Sequence, residues 1–200
     1  MARVLLTGFE PFGSFKRNPS WDALKLARER RLLPPGVKLA QIPVTYAGAF
    51  EAFEKAARAF KPDVAVCFGV HGSRDERTIY LERVAHNRNG ASADNDGIAQ
   101  PGVILARKAR SIECQYPHAA LAALLREAGF STEFSDDAGG YLCNHLYYRA
   151  SQAFAHRFSV LFVHVPPVGA KGLMKLSELA RAAAIVAWHA AMVGTLRNSK

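Results

Sequence analysis

Three cysteines, Cys67, Cys114 and Cys143, are the strongest candidates for chemistry in this chain, and their surroundings differ. Thiol catalysis needs a sulfur that can lose its proton, a base to take it, and a group to hold the base. Cys67 lies inside the apolar run Asp63-Val-Ala-Val-Cys-Phe-Gly69 and reads as a small core hydrophobe. Cys114, in Ser-Ile-Glu-Cys-Gln-Tyr-Pro, has neither a helix start nor a basic neighbour and reads as structural. Cys143 follows Asp136-Asp-Ala-Gly-Gly-Tyr-Leu and opens a helix, where free N–H groups and the helix dipole favour a thiolate. Gly139-Gly140 permits a tight turn before it, and N–H groups there can hold an oxyanion. Position alone leaves two readings, nucleophile or ordinary buried cysteine.

Among seven histidines, His164 ends the run Val160-Leu-Phe-Val-His-Val, just before Pro166-Pro167. It is either a site residue or a satisfied core histidine. His145 is nearer to Cys143 in sequence but, two residues along a helix, faces away from it. His71 follows the Cys67 segment and can line a pocket. His86, His118, His156 and His189 read as surface or helix-face residues. The third group would be a carboxylate in an apolar segment, and Glu82 in Ile79-Tyr-Leu-Glu-Arg-Val-Ala qualifies; pairing with Arg83 or a solvated strand face is the alternative. With a histidine partner added to its helix start, Cys143 alone is expected to have a depressed pKa.

These residues must be held by a framework of short apolar runs alternating with helical patterns. Strands are expected over Arg3–Thr7, Val37–Val44, Asp63–Gly69, Thr78–Ala85, Phe130–Ser135 and Ser159–Val165. Helices are expected from Ser20 to about Arg31, capped by Ser20 or Asn18, then over Gly48–Phe60, Pro117–Ala128, Tyr141–Ala155 and Leu176–Leu196. Residues 87–102 read as a polar loop, and 102–113 as a possible hairpin. Such alternation implies an α/β sandwich around a mixed, largely parallel sheet. In such sheets, sites gather at strand carboxyl ends and helix N-termini.

Two hundred residues, half of them hydrophobic and 22% charged, are globular composition for one domain. No apolar run reaches the ~20 residues of a membrane span, Ala182–Leu196 being the best candidate, and Met1-Ala2-Arg3 opens no signal peptide. The balance of 26 basic against 17 acidic residues gives +9, with the cations dispersed, so neither a nucleic-acid nor a membrane partner is expected. An odd cysteine count without C-x-x-C argues against disulfides and zinc, and for a reducing cytoplasm. Ser92-x-Asp94-x-Asp96-Gly97 imitates half a calcium loop, but Val103 stands at its twelfth position. With no P-loop, H-E-x-x-H or G-x-S-x-G, and no dinucleotide fingerprint after Thr7-Gly8-Phe9, no cofactor or metal is expected.

Several segments together resemble a known family. Thr7-Gly8-Phe9-Glu10-Pro11-Phe12-Gly13 with Asn18-Pro19-Ser20-Trp21, Glu82-Arg83-Val84-Ala85-x-Asn87 and Asp94-Asn95-x-Gly97 carry the likeness. So do Ser135-x-x-Ala138-Gly139-x-Tyr141-x-Cys143-Asn144 and His164-Val165-Pro166, in the same order across nearly the whole chain. The chain resembles the pyrrolidone-carboxylate peptidases (pyroglutamyl-peptidase I). The resemblance implies a cytoplasmic cysteine exopeptidase that removes N-terminal pyroglutamate from peptides. It implies an α/β/α sandwich of the phosphorylase/hydrolase-like kind, assembled as a dimer or tetramer. Carried over residue by residue, Cys143 is the nucleophile, His164 the base and Glu82 the orienting carboxylate. Phe9 and Phe12 become aromatic walls for the lactam, with Asn18, His71 and Leu142 completing the substrate site.

Departures from the family pattern are also visible. The family's Gly-Gly-Arg loop is replaced by Val70-His-Gly-Ser-Arg-Asp-Glu-Arg77, which leaves Val70 or His71 in place of a family contact. Ser92 stands about where the family has Arg, with Arg88 as the substitute, and the Cys143–His164 interval is slightly short. Two other functions share the pattern: an amidase using the same triad on another small N-acyl or lactam amide, and a non-catalytic basic binding module on an inherited fold.

Overall fold

The computed structural model describes residues 2–13, 16–72, 77–169 and 174–198. Its main sheet has strands β1 (Val4–Phe9), β2 (Val37–Ile42), β3 (Val64–Val70), β4 (Ile79–Glu82), β7 (Thr132–Ser135) and β8 (Ser159–Val165), and β5 (Val84–His86) pairs separately with β6 (Ser111–Glu113). The spatial order is β2-β1-β3-β8-β4-β7. β2, β1, β3 and β8 run parallel, while β4 and β7 run the opposite way, with β4 antiparallel to β8.

β1 and β8 are buried at every residue, and β3 at every residue but Val70, as the near-continuous apolar runs require of strands covered on both faces. Alternate side chains feed two cores. Val4, Leu6, Val66, Leu161 and Val163 meet α1 (Pro19–Glu29), α3 (His118–Glu127) and α5 (Leu176–Asn198). Leu5, Ala65, Cys67, Val160 and Phe162 meet α2 (Gly48–Phe60) and α4 (Leu142–Phe154) on the other face. The result is the expected three-layer α/β/α sandwich with a mixed, largely parallel sheet. Asn18 caps α1 by accepting from the Ser20 N–H, with Pro19 in the first turn, where its missing N–H costs nothing.

Three expectations need correction. The segment 78–85 is not one strand: it breaks at Arg83, whose N–H donates to Ser135 O and whose carbonyl accepts from Cys114 N–H. Residues 102–113 do not fold back on themselves as a hairpin; only Ser111–Glu113 is extended, and it pairs with β5. His118 and His189 are buried rather than superficial, at 8% and 5% exposure. His118 donates through Nε2 to Glu82 O, and His189 Nδ1 is bonded to Tyr116 Oη.

α5 is long and apolar enough over Leu176–Arg197, 22 residues, to cross a membrane by length and composition, although Glu178, Arg181 and His189 interrupt its apolar residues. Its inward face, including Leu179, Ala183, Val186 and Ala190, is packed in the core. Trp188, Met192 and Leu196, four residues apart in turn, remain exposed on another face.

Candidate active site

β1, β3 and β8 deliver Phe9, Val70 and His164 to one edge of the sheet, and α4 begins there with Leu142 and Cys143. A cavity of about 350 Å³ opens at this edge, with Cys143 and His164 among its lining. Phe9, Phe12, Leu142 and Val44 give it apolar walls. No Asp, Glu, Lys or Arg among the described residues lines it.

The imidazole is held from below. His164 Nδ1 lies 2.7 Å from Glu82 Oε1, with both residues nearly sealed from solvent at 5% and 0% exposure. A carboxylate can only accept, so the proton sits on Nδ1 and Nε2 becomes the basic nitrogen. Antiparallel pairing makes this reach possible: Glu82 stands opposite Phe162, two residues below His164 on β8. The Phe162 ring packs 4.9 Å from the imidazole. Glu82 O accepts from His118 Nε2 and from Tyr147 Oη at 3.1 and 3.0 Å, so the backbone beneath the carboxylate is also fixed. Arg83 turns instead to Asp136, to which it donates at 2.7 Å.

Cys143 occupies the first turn of α4, whose N-terminus has no side-chain cap. Gly139 takes φ +83°, a left-handed turn that glycine adopts without strain. Gly90 N–H donates to Gly140 O at 2.6 Å and ties this turn to the loop beyond β5. Asn144 fastens it again: its amide accepts from His86 N–H and donates to His86 O and Arg88 O. Nothing in the sequence apart from its place beside Cys143 pointed to that role.

The expected depression of the Cys143 pKa is overturned. Burial, then the negative charge of Glu82, then Cys67, push its thiol up to about 12, and its own backbone N–H only partly opposes them. Cys67 and Cys114 are also pushed up to about 12 by burial, so helix position does not set Cys143 apart. Both the packing around the sulfur and the Glu82 charge therefore favour the neutral thiol over the thiolate.

The remaining sequence candidates divide. His71 lines the cavity, with Nε2 bonded to Thr78 O at 3.0 Å and its ring 6.4 Å from that of His164. Asn18 also lines it, though its amide is engaged by Ser20 and Glu10 within the loop. Arg88 is not among the residues lining the cavity and pairs with Asp137 at 2.7 Å. The Ser92 carbonyl accepts from Tyr46 Oη. The calcium-like segment is a loop staple: the Asp94 carboxylate accepts from the N–H groups of Tyr46, Asp96 and Ile98. Those bonds hold its pKa low against the opposing effect of burial.

An α/β sandwich that brings a helix-borne thiol and a carboxylate-held imidazole to one apolar cavity is the framework of a cysteine hydrolase. The model of the family described as pyroglutamyl peptidase matches residues 2–196. A pyrrolidone-carboxylate peptidase of Streptomyces coelicolor is 34% identical over 171 residues, covering 83% of this chain and 78% of that protein. Pyrrolidone-carboxylate peptidase 1 of Ralstonia nicotianae is 31% identical over 208 aligned positions, covering 100% and 95%. The crystal structure of Bacillus amyloliquefaciens pyroglutamyl peptidase I matches with a TM-score of 0.86 at 28% identity, covering 96% of this chain and 98% of that one. The pyrrolidone carboxyl peptidase of Thermus thermophilus gives 0.82 at 30% identity, covering 94% and 99%. The chain belongs to the pyroglutamyl peptidase family, and is a hydrolase of the cysteine-peptidase type.

Proposed function

We propose that the chain removes N-terminal pyroglutamate from peptides, with Cys143 as nucleophile, His164 as base and acid, and Glu82 as the orienting carboxylate. The observation that carries this reading is the 2.7 Å Glu82–His164 bond beneath the cavity that Cys143 lines. The thiol proton passes to His164 Nε2 as sulfur bonds to the pyroglutamyl carbonyl carbon. Glu82 stays ionised and stabilises the imidazolium. The uncapped N–H groups at the start of α4 take the oxyanion. His164 then protonates the leaving amine, the C–N bond breaks, and a thioester remains. Water gives a proton to His164, attacks the thioester and releases pyroglutamate, and the proton returns to sulfur.

Pyroglutamate is neutral and flat, which suits apolar walls without charged side chains. A free α-amine would be desolvated there with no anionic partner. The test is cleavage of matched pyroglutamyl, glutaminyl and prolyl amides under reducing conditions. Release from the first alone is the expected result; comparable rates on all three would overturn the assignment.

A cytoplasmic setting belongs to the same reading, since a working thiol and two further free cysteines need reducing conditions. Self-association as a dimer or tetramer also belongs to it. Its support is the exposed stripe of Trp188, Met192 and Leu196 on α5, which a second copy would cover. Sedimentation of the wild type against Trp188→Glu measures it: equal masses at monomer size would remove the proposal.

A further inference from the structure

The Phe12 wall of the cavity stands on an exposed loop, and one side chain from elsewhere in the chain holds it. Asn95 Nδ2 donates to Pro11 O at 3.0 Å, and Asn95 Oδ1 accepts from Gly13 N–H at 3.4 Å. Those two groups belong to the peptide planes immediately before and after Phe12. Fixing both planes fixes the backbone angles of Phe12, and with them the direction in which its ring leaves the chain.

The anchor is itself rigid. Asn95 N–H donates to Val44 O, and Val44 is another wall of the cavity. On one side of it, Asp94 closes a turn through its carboxylate, with Asp94 N–H donating to Ile98 O. Tyr46 Oη and Tyr141 Oη donate to the carbonyls of Ser92 and Ala93 on the approach to this turn. Asn95 therefore reaches from a fixed turn to a loop that needs fixing. It does not line the cavity and touches no reacting group.

We propose that Asn95 is a positioning residue for substrate binding: it sets Phe12 as a wall of the lactam site. This rests on the pyroglutamyl reading of that site. Because Asn95 acts through Phe12, its loss should weaken binding without slowing chemistry at Cys143, and should matter only while the Phe12 ring is present.

The experiment is a double-mutant cycle on pyroglutamyl-amide hydrolysis with wild type, Asn95→Ala, Phe12→Ala and the double variant. The expected result is a KM raised about tenfold by Asn95→Ala with kcat within about twofold, and a double variant no worse than Phe12→Ala. Asn95→Asp, which keeps the acceptor for Gly13 and loses the donor to Pro11, should fall between wild type and Asn95→Ala. It serves in the cycle if Asn95→Ala melts below the assay temperature. KM effects that simply multiply in the double variant, or a fall in kcat at unchanged KM, would overturn the proposal while leaving the pyroglutamyl reading intact. A wild type inactive on pyroglutamyl amides would overturn both.

Discussion

The sulfur of Cys143 occupies the space in which a side chain on Gly69 would begin. A Cβ at Gly69 would lie 2.7 Å from Cys143 Sγ and 2.9 Å from Phe162 Cζ. Gly69 is also the residue of β3 paired with His164 on β8. One missing side chain thus lets the proposed nucleophile settle beside the strand that carries the proposed base. Gly69→Ala is expected to displace the thiol and cut kcat by at least about a hundredfold, since misplacement by about 1 Å has that cost. Steady-state kinetics beside a thermal melt would check it; full activity in the variant would refute the steric argument.

Glu82→Gln should separate the two effects of that carboxylate. The imidazolium loses its partner, so kcat should fall on the order of a thousandfold or more with KM little changed. The same change removes a negative charge that raises the Cys143 thiol pKa, so alkylation of Cys143 by iodoacetamide at mildly alkaline pH should become faster. Mass spectrometry of the labelled peptide measures this. A variant slower in both reactions would contradict the charge argument.

Phe9 and Phe12 share the cavity but not the same surroundings. Phe9 is 4% exposed and belongs to the core, whereas Phe12 packs only at its margin. Phe9→Ala should therefore cost about 3–5 kcal/mol of stability. Phe12→Ala should raise KM for pyroglutamyl amides with the melting temperature nearly unchanged. Calorimetry and kinetics on both variants decide it, and a Phe12→Ala protein that merely unfolds would not fit.

Alkaline pH should weaken the fold through its buried thiols. Cys67 is fully buried, with its pKa pushed up to about 12. An unfolded cysteine ionises near about 8.5. Above that pH the unfolded chain gives up a proton that the folded one keeps, so stability falls as pH rises toward 12. Cys67→Ala should remove from that slope a contribution that starts small near pH 8 and approaches about 1.4 kcal/mol per pH unit by pH 10. Denaturant melts between pH 8 and 10 provide the measurement, and an unaltered slope would show that other groups carry it.

Much of the framework was legible because it is local. β8 and α2 appear at the residues their patterns marked, since an all-apolar run closed by Pro166 and a helical run stopped by Pro62 carry their own limits. The break at Arg83 was not legible. Apolar residues continue across it, and the partners that end β4 there, Ser135 and Cys114, are remote in sequence. Buried His118 and His189 were missed for the same reason, because Glu82 O and Tyr116 Oη, which satisfy them, come from elsewhere in the chain. The placement of Cys143 at a helix start was legible, but the upward push on its thiol pKa was not. A helix end acts over one turn, while burial and the Glu82 charge depend on the assembled sheet.

That sheet has one strand made late. β8 lies between β3 and β4, and the thiol and the carboxylate have both been synthesised before His164 is. On the proposed triad, a chain still on the ribosome without β8 holds a cysteine with no base and a glutamate with nothing to orient. Domains begin to fold while synthesis proceeds, at about 5–20 residues per second. If the proposed triad acts, peptide cleavage is therefore withheld until His164 has been made and β8 has taken its place between β3 and β4.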